Sequence, residues 1–514
     1  MYLLSFIMWF ESKLYEELKE QQEDASIYDC LNEQPLHKYM DDFIKLNITK
    51  ENYLKLIELC DFLMVSNVDV LVDQIVKKFG VQIIHEFGDF YKYNSQRLFV
   101  HNRESLEKAM QSYCKNKKKS YETDGFSAYW NVSNVTNMDY MFLNSVFNGD
   151  ISQWNVSNVT NMDCMFCDSE FNGDISQWNV SNVTNMDSMF CESEFNGDIS
   201  QWNVSNVTNM DYMFSGSEFN GDISQWNVSN VKTMCRMFSG SVFNGDISKW
   251  DVSKVENMDS MFYESKLNGE LFQWVVSNVK NMDSMFFGSL FNGNISQWDV
   301  SNVRNMNSMF ENSSFNGDIS QWNVSNVKTM CGMFENSVFN SELSCWNVSN
   351  IRYMEKMFSG SVFNSNISQW DVSNVITMCG MFKNSKFNGD ISKWDVSKVE
   401  NMDSMFFGTE FNGDISQWNV FKVDNMEKMF CKSEFNGDIS KWNVSNVDNM
   451  EKMFCKSEFN GDISKWNVSN VRKISYIFSK SKFRGDISKW CLYNNRLMNI
   501  SCYKESLYSD EILY

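Results

Sequence analysis

Apolar and polar positions repeat along the chain with a period of 24 residues. The segment FNGDISQWNVSNVTNMDYMF, residues 195–214, recurs with few changes between residues 147 and 490. Sixteen of the 17 tryptophans keep this step from Trp130 to Trp490, without insertion or deletion. Such a period is typical of a solenoid, in which each unit buries its apolar face against its neighbours. The pattern therefore predicts a stack of about 15 repeats over residues 125–492.

The segment after each tryptophan has the spacing of an amphipathic helix. In one repeat Ser205 can cap a helix, and Val207, Met210, Met213 and Phe214 then follow at the spacing of one helical face. We therefore predict a helix of about ten residues in each unit.

Turn and strand signals complete the unit. Residues 218–221, Glu-Phe-Asn-Gly, favour a turn in which Gly221 can take a positive φ. Residues 222–224, Asp-Ile-Ser, predict a minimal strand with Ile223 inward. The expected fold is thus an α/β, leucine-rich-repeat-like solenoid of strand-turn-helix units. An all-β right-handed helix is the alternative, which the helical spacing of the Met and Phe positions disfavours.

The repeated sequence motifs resemble those of a known family. The pattern W-N-V-S-N-V-T-N-M-x-x-M-F followed by F-N-G-D-I-S resembles the BspA-type leucine-rich-repeat variant, over residues of about 130–490. That repeat has no known function and occurs in bacterial surface proteins, mycoplasma lipoproteins and proteins of large DNA viruses. The resemblance implies a solenoid with a binding or surface role and no catalytic residues. Because no lipobox or signal segment is recognisable, we expect an intracellular protein, in the cytoplasm of a host cell, of giant-virus origin. The nucleus and the virion are alternative locations.

The pattern of apolar and polar residues in residues 1–114 predicts a small, mostly helical domain. The stretch ITKENYLKLIELCDFLMV, within residues 36–79, resembles the helical half of a BTB/POZ or Skp1-like domain. This resemblance implies an adaptor that dimerises or docks a cullin-type ubiquitin ligase, although any helical hairpin could imitate it. A basic linker is expected at residues 115–124 and a C-terminal cap or tail at residues 493–514.

Charge limits the partners that we expect. The formal net charge is −21, of which −18 lies beyond residue 120, so the repeats should repel nucleic acid and anionic membranes. The opening segment MYLLSFIMWF is shorter than the ~20 apolar residues that span a bilayer. We therefore expect a protein partner, without nucleic acid and without a membrane span.

An acidic residue precedes the inward isoleucine in most repeats, and we name these aspartates the acidic column. If their side chains point outward at about 5 Å spacing, some should titrate above the ordinary pKa, and calcium or a basic partner could bind them. A solvated ladder, or aspartates bonded to their own backbone, is the alternative. The column consists of Asp150, Asp174, Asp198, Asp222, Asp246, Asp318, Asp390, Asp414, Asp438, Asp462 and Asp486.

Methionine and cysteine suggest a metal site that the spacing does not support. Two methionine columns hold 28 of the 34 methionines, and we expect them in the core and not as ligands of a soft metal. Cys164 and Cys167 have no second pair at zinc spacing. Cys167 with Cys191, like Cys431 with Cys455, occupies one phase of adjacent repeats, and free thiols are expected there. No metal or other cofactor is predicted.

The sequence favours a non-enzymatic protein–protein interaction scaffold of unknown partner. Equivalent carboxylates share one environment, whereas paired acid and base groups need unlike ones, so no catalytic residue is predicted. The cullin adaptor is the second hypothesis, and a surface or adhesion protein is the third. Variable positions lie six, ten and thirteen residues after tryptophan, as Thr208, Lys232, Glu256 and Arg304 illustrate for the first.

Overall fold

The computed structural model describes residues 101–116, 120, 127, 130–492 and 496–497. Two compact units are present: the first includes a helix, and the second contains the repeats from residue 133 onward except residues 149–151, which belong to the first. The stretch at residues 36–79 that resembles a BTB/POZ or Skp1-like domain lies outside the described residues.

Helix α1 spans Arg103–Lys115 and ends where the basic linker was predicted to begin. The Asn102 side chain accepts the Ser105 backbone N–H at 2.9 Å, and the Ser105 hydroxyl accepts the Asn102 N–H at 3.0 Å. This reciprocal capping satisfies two amides of the first turn. The apolar face of α1 buries Leu106, Ala109, Met110 and Tyr113.

Strands β1 (Cys491–Leu492) and β2 (Arg496–Leu497) pair antiparallel after the last repeat. Cys491 pairs with Leu497, and Leu492 pairs with Arg496. Within the part of the chain that the structure describes, α1 and these two strands are the only helix and multi-residue strands.

The second unit is a solenoid, as the period predicts. We count positions in each repeat from its tryptophan, which is position 0. Positions 0, 2, 5, 8, 11, 12, 17 and 21 are apolar and buried in nearly every repeat, so each forms a column along the stack. In one repeat these residues are Trp202, Val204, Val207, Met210, Met213, Phe214, Phe219 and Ile223. The methionine columns are therefore core, as predicted.

Identical rings stack on one another from repeat to repeat. The Trp178 and Trp202 ring centroids lie 6.5 Å apart with planes 1° from parallel. The Trp202 indole N–H also donates to the Ile175 carbonyl at 3.0 Å, which satisfies a buried donor. Neighbouring repeats thus supply both the apolar contacts and the polar partner that one repeat lacks.

The predicted helix is not formed, and this prediction was wrong. Residues 205–206 and 211–214 form turns, and residue 209 forms a bridge. The backbone makes no bond of α-helical spacing here: its N–H groups donate to neighbouring repeats or, as from Met213 to Met210 at 3.4 Å, across a single turn. The N–H groups of Met210 and Phe214 donate to the carbonyls of Thr233 and Met237 at 3.1 and 2.9 Å. Position 7 forms one parallel bridge to the next repeat along a column that runs from Asn137 to Lys473.

A left-handed residue explains why helical spacing was misleading. Position 10 has positive φ, for example 54° at Tyr212, a region that costs ordinary residues conformational energy. This turn brings Met210, Met213 and Phe214 to the inner face without helical geometry. The bonds between repeats supply the backbone partners that a helix would have supplied.

The predicted strand at residues 222–224 is also absent. Ile223 is buried, as predicted, but the segment has no ladder, and Gly221 does not take a positive φ. A Cβ at Gly221 would lie 2.8 Å from the Phe219 ring, so close packing and not a left-handed turn favours glycine here, although Ser341 and Ser365 occupy the same position in two other repeats. The described repeats are irregular coils with one parallel bridge each, and contain neither strand-turn-helix units nor the extended strands of an all-β helix.

Candidate interaction surface

Ten of the eleven aspartates of the acidic column lie on the exposed surface and bond to their own turns, and Asp150 is half-buried. The Asp222 carboxylate accepts the Ser224 N–H at 2.9 Å. Asn294 and Asn366 make the same bond, to Ser296 and Ser368, at 3.0 and 2.9 Å. The bond recurs from Asp174, Asp198, Asp246, Asp318, Asp390, Asp414, Asp438, Asp462 and Asp486 to the serine two residues on.

These bonds set the direction of titration in the column. The Ser224 N–H and hydroxyl hold the pKa of Asp222 below its ordinary value, and the weaker repulsion from Asp246 and Asp198 does not reverse this. The expectation that some of these carboxylates titrate above the ordinary pKa is therefore wrong for Asp222 and for the eight aspartates named next. The pKa is likewise lowered for Asp198, Asp246, Asp318, Asp390, Asp414, Asp438, Asp462 and Asp486.

A second acidic column, nine positions after tryptophan, was missed from the sequence. Burial raises the pKa of Asp187 and Asp211, against hydrogen bonds that oppose the shift. The Asp211 carboxylate accepts the Thr233 hydroxyl and the Cys235 N–H. The repeated Asn-Met-Asp triplet was the available signal, but it fell within the predicted helix.

Neither acidic column assembles a metal centre. No group of three or more His, Cys, Asp or Glu side chains is placed to hold a metal ion among the described residues. Cys164, from the Cys-x-x-Cys pair, is half-buried, and burial raises the pKa of its thiol to about 12.

Two cysteine pairs stack in the column thirteen positions after tryptophan. Cys167 and Cys191 share a hydrogen bond, as do Cys431 and Cys455, and in each pair the bond lowers the pKa of the second thiol. The pKa of Cys455 falls to about 6, with help from Lys456, Lys452 and Lys432. All four are free cysteines. Only the second pair lies among lysines.

The residues six positions after each tryptophan form what we call the charge column. Its backbone is regular: between Lys280 and Asp448, each N–H donates to the preceding carbonyl in the column at 2.8–3.0 Å. Successive side chains therefore stand about 4.8 Å apart. The column reads Thr136, Thr160, Thr184, Thr208, Lys232, Glu256, Lys280, Arg304, Lys328, Arg352, Ile376, Glu400, Asp424, Asp448 and Arg472.

Charges in this column are segregated by sign. Four consecutive repeats carry the basic block, Lys280, Arg304, Lys328 and Arg352, and three carry the acidic block, Glu400, Asp424 and Asp448, with Ile376 between them. Like charges at this spacing repel one another. The pKa of Asp424 is raised by burial and by the neighbouring Glu400 and Asp448.

Ion pairs within the chain neutralise only the two ends of this arrangement. Lys280 pairs with Glu256 at 2.5 Å, and Arg472 pairs with Asp448 at 3.1 Å. The Arg352 guanidinium lies over the Tyr353 ring, 6.0 Å from its centroid. Among the described residues, no ion pair involves Arg304, Lys328, Glu400 or Asp424.

Comparison with known protein families shows which family the repeats match. The family described as "Mycoplasma protein of unknown function, DUF285" matches residues 108–218, 191–290, 265–362, 336–434 and 409–512. These matches confirm a BspA-like repeat protein and do not reach residues 36–79. No curated protein matches the chain. In the described part of the chain, no helix is long and apolar enough to cross a membrane.

Proposed function

Because the chain belongs to the DUF285 family, whose function is unknown, we propose that it is a non-enzymatic scaffold that binds a protein partner. The charge column is the proposed binding face. The observation that carries the proposal is the contrast between constant buried columns and a charge column that changes from threonine to a basic and then an acidic block.

Segregated charge is not needed for solubility. Alternating signs would solvate the face equally well and would relieve repulsion between neighbours. The basic block instead collects four cations on a chain of formal net charge −21. Complementary charge on a partner would offset that repulsion and fix the register of binding.

The scaffold also presents these side chains in a fixed geometry. Bonds between repeats hold the charge column along its whole length, so little backbone order is lost on binding. Extended surfaces of stacked repeats are commonly used in this way by solenoid proteins. The acidic column contributes turn stability in this proposal, and no cofactor is required.

Replacing the basic block tests the proposal. Threonine already occupies the charge column in the first four repeats, so the variant K280T/R304T/K328T/R352T should keep the fold. A matched control, K393Q/K441Q/K465Q/K489Q, removes the same charge from position 23, where glutamine is common. In quantitative pull-downs the affinity of the first variant for a protein partner should fall at least ~10-fold, equivalent to about 1.4 kcal/mol of binding free energy. The control should bind that partner with unchanged affinity.

Two results would count against this function. If both variants retain every partner, the charge column is not the binding face. If a partner is captured only when residues 1–120 are present, the result favours the cullin-adaptor hypothesis over binding by the charge column.

A further inference from the structure

We propose that two copies of this chain pair antiparallel through the charge column, with Ile376 on the twofold axis. The inference takes from the proposed function only that this column is an interaction face. Its partner is a second copy of the chain, and its basis is the order of charges along the column.

The order of charges is symmetric about Ile376, with opposite signs on the two sides. One repeat away, a cation on the N-terminal side matches an anion on the C-terminal side, and the same holds two and three repeats away. These matched residues are Arg352 with Glu400, Lys328 with Asp424, and Arg304 with Asp448.

A twofold axis converts this order into complementary contacts. When two antiparallel columns face each other, a residue n repeats before the axis meets the residue n repeats after it on the other copy. Each of the three matched pairs then forms twice. Because every step is about 4.8 Å in both copies, the register holds over the roughly 29 Å between Arg304 and Asp448.

Most of the charges that this arrangement pairs lack an ion pair within the described part of the chain. Lys280 and Arg472, four repeats on either side of Ile376, are both basic and would face each other, but each already has an acidic partner in its own chain. Among the described residues, five of the six charges in the matched pairs form no intrachain ion pair, namely Arg304, Lys328, Arg352, Glu400 and Asp424, and the sixth, Asp448, pairs with Arg472.

The neighbouring column is compatible with this pairing. Position 4 carries only asparagine or lysine, and the twofold axis places it opposite itself. Lys398 then meets Asn350, and Lys422 meets Asn326, so no two lysines face each other. Ile376, which is partly exposed, meets its own copy at the axis and needs no charged partner.

We expect the pairing to be weak and sensitive to salt. Exposed ion pairs contribute little individually, so the dimer should appear at about 100 µM protein. The net charge of −21 opposes association over longer distances, and about 0.15 M salt screens it beyond ~8 Å. At about 1 M salt the contact pairs are screened as well, and the dimer should dissociate.

Charge reversal at one matched pair gives a direct test by sedimentation velocity of the purified full chain. Lys328→Asp places two carboxylates together in both contacts, and Asp424→Lys places two ammonium groups together, so each variant alone should be monomeric. An equimolar mixture of the two variants should form a heterodimer, because each contact then joins opposite charges. The double variant K328D/D424K should also dimerise.

Lys232→Asp is the control, since it changes the same charge in the same column outside the symmetric region, and it should dimerise like the natural chain. A natural chain that stays monomeric at about 100 µM and 0.15 M salt would overturn the inference. A mixture that fails to associate would also overturn it. Neither result touches the proposed function, which is tested by loss of a different partner in the basic-block variant.

Discussion

Residues 154–225 and residues 274–465 share one core and differ on one face. In the first segment, which we call the uniform segment, the charge column is threonine throughout, and in the second, the charged segment, it carries both charge blocks. Ring centroids of successive tryptophans lie 6.5 Å apart in both, at Trp178 with Trp202 and at Trp418 with Trp442. Stacking therefore constrains the buried columns and leaves the exposed ones free to diverge.

The largest effect should come from breaking the period itself. Deleting residues 203–226 removes one whole repeat from the uniform segment and lets its neighbours stack with all columns in phase. Deleting residues 203–214 instead places mismatched faces together and leaves buried bonds unmade. We expect native-like circular dichroism and melting for the first variant and local unfolding for the second.

Deletion of residues 323–346 carries the same test into the charged segment, and this variant should also fold. Equal melting of the 24-residue and 12-residue deletions would contradict the stacked-unit fold.

A single core substitution should cost the same in both segments. Trp202→Ala and Trp346→Ala each remove stacked rings and a 3.0 Å indole bond to a carbonyl of the preceding repeat. Each should lower the free energy of unfolding by about 3–5 kcal/mol. Denaturant titration measures both, with the exposed Glu218→Ala as a control near zero. A difference above ~1 kcal/mol between the two would show that the cores are not equivalent.

The two cysteine pairs should separate the segments chemically. Cys455 has a pKa of about 6 and lies near lysines. The bond from Cys167 also lowers the pKa of Cys191, but burial and the adjacent Glu192 oppose that shift. Since the thiolate is the nucleophile, iodoacetamide labelling of Cys455 should rise with pH through about 6 and level off by pH 7.

Lys456→Glu should move that midpoint upward and slow labelling at pH 6 by about threefold or more. Cys235, whose pKa burial raises to about 12, should stay unreactive up to pH 9 and serves as the internal control. Equal labelling of Cys455 and Cys235 at pH 7 would contradict the predicted thiolate. Mass spectrometry of the peptides that contain Cys455 and Cys235 measures the labelling.

The second acidic column offers a matched pair between the segments. Asp211 accepts the Thr233 hydroxyl and Cys235 N–H, and Asn307 accepts the equivalent groups of Thr329 and Cys331. Burial raises the pKa of Asp211 in the folded chain above its pKa in the unfolded chain. The folded chain therefore loses stability as the pH rises through the pKa of the unfolded chain and Asp211 ionises.

Asp211→Asn should therefore stabilise the chain at pH 7, by about 0.5 kcal/mol after solvent screening, and should have little effect at pH 3. Thermal melting at the two pH values measures this. The reverse substitution, Asn307→Asp, should destabilise at pH 7. A loss of stability in Asp211→Asn at neutral pH would contradict the assignment of burial as the dominant cause.

The sequence predicts which side chains of each repeat point into the core. It does not predict the backbone conformation that places them there. The period and the inward positions of Trp202 and Ile223 follow from the order of apolar and polar residues alone. The left-handed residue at position 10 does not, because tyrosine, serine, lysine and arginine all occupy it. Inward positions spaced three and four apart then resemble a helix, although bonds between repeats replace helical ones.

The candidate surface was foreseeable only in part for the same reason. The variation six residues after tryptophan is visible in the sequence. Whether those residues form one charged surface depends on the distance between them, which the hydrogen bonds between repeats determine. The acidic column could not be assigned to turn formation until the 2.9 Å bond from the Ser224 N–H to Asp222 was seen.

The smallest effect should come from neutralising part of the acidic column with Asp198→Asn, Asp222→Asn and Asp246→Asn together. Asn294 and Asn366 already make the same turn bond, so the variant should fold. The folded pKa values of these three aspartates lie below the unfolded value. Their contribution to stability is therefore present above about pH 4 and lost as pH falls through the folded values. The triple variant should melt at nearly the natural temperature at pH 7 and show a shallower loss of stability below pH 4.

The same variant decides whether the column binds calcium. Each carboxylate is already engaged by its own turn, and no metal cluster is formed among the described residues, so millimolar calcium should raise the melting temperature no more than magnesium does. A calcium-specific rise in the natural chain that disappears in the triple variant would instead show preferential binding to the folded column. Because the uniform and charged segments share these turns, such binding would then be a property of the whole stack and would not distinguish the two segments as the charge column does.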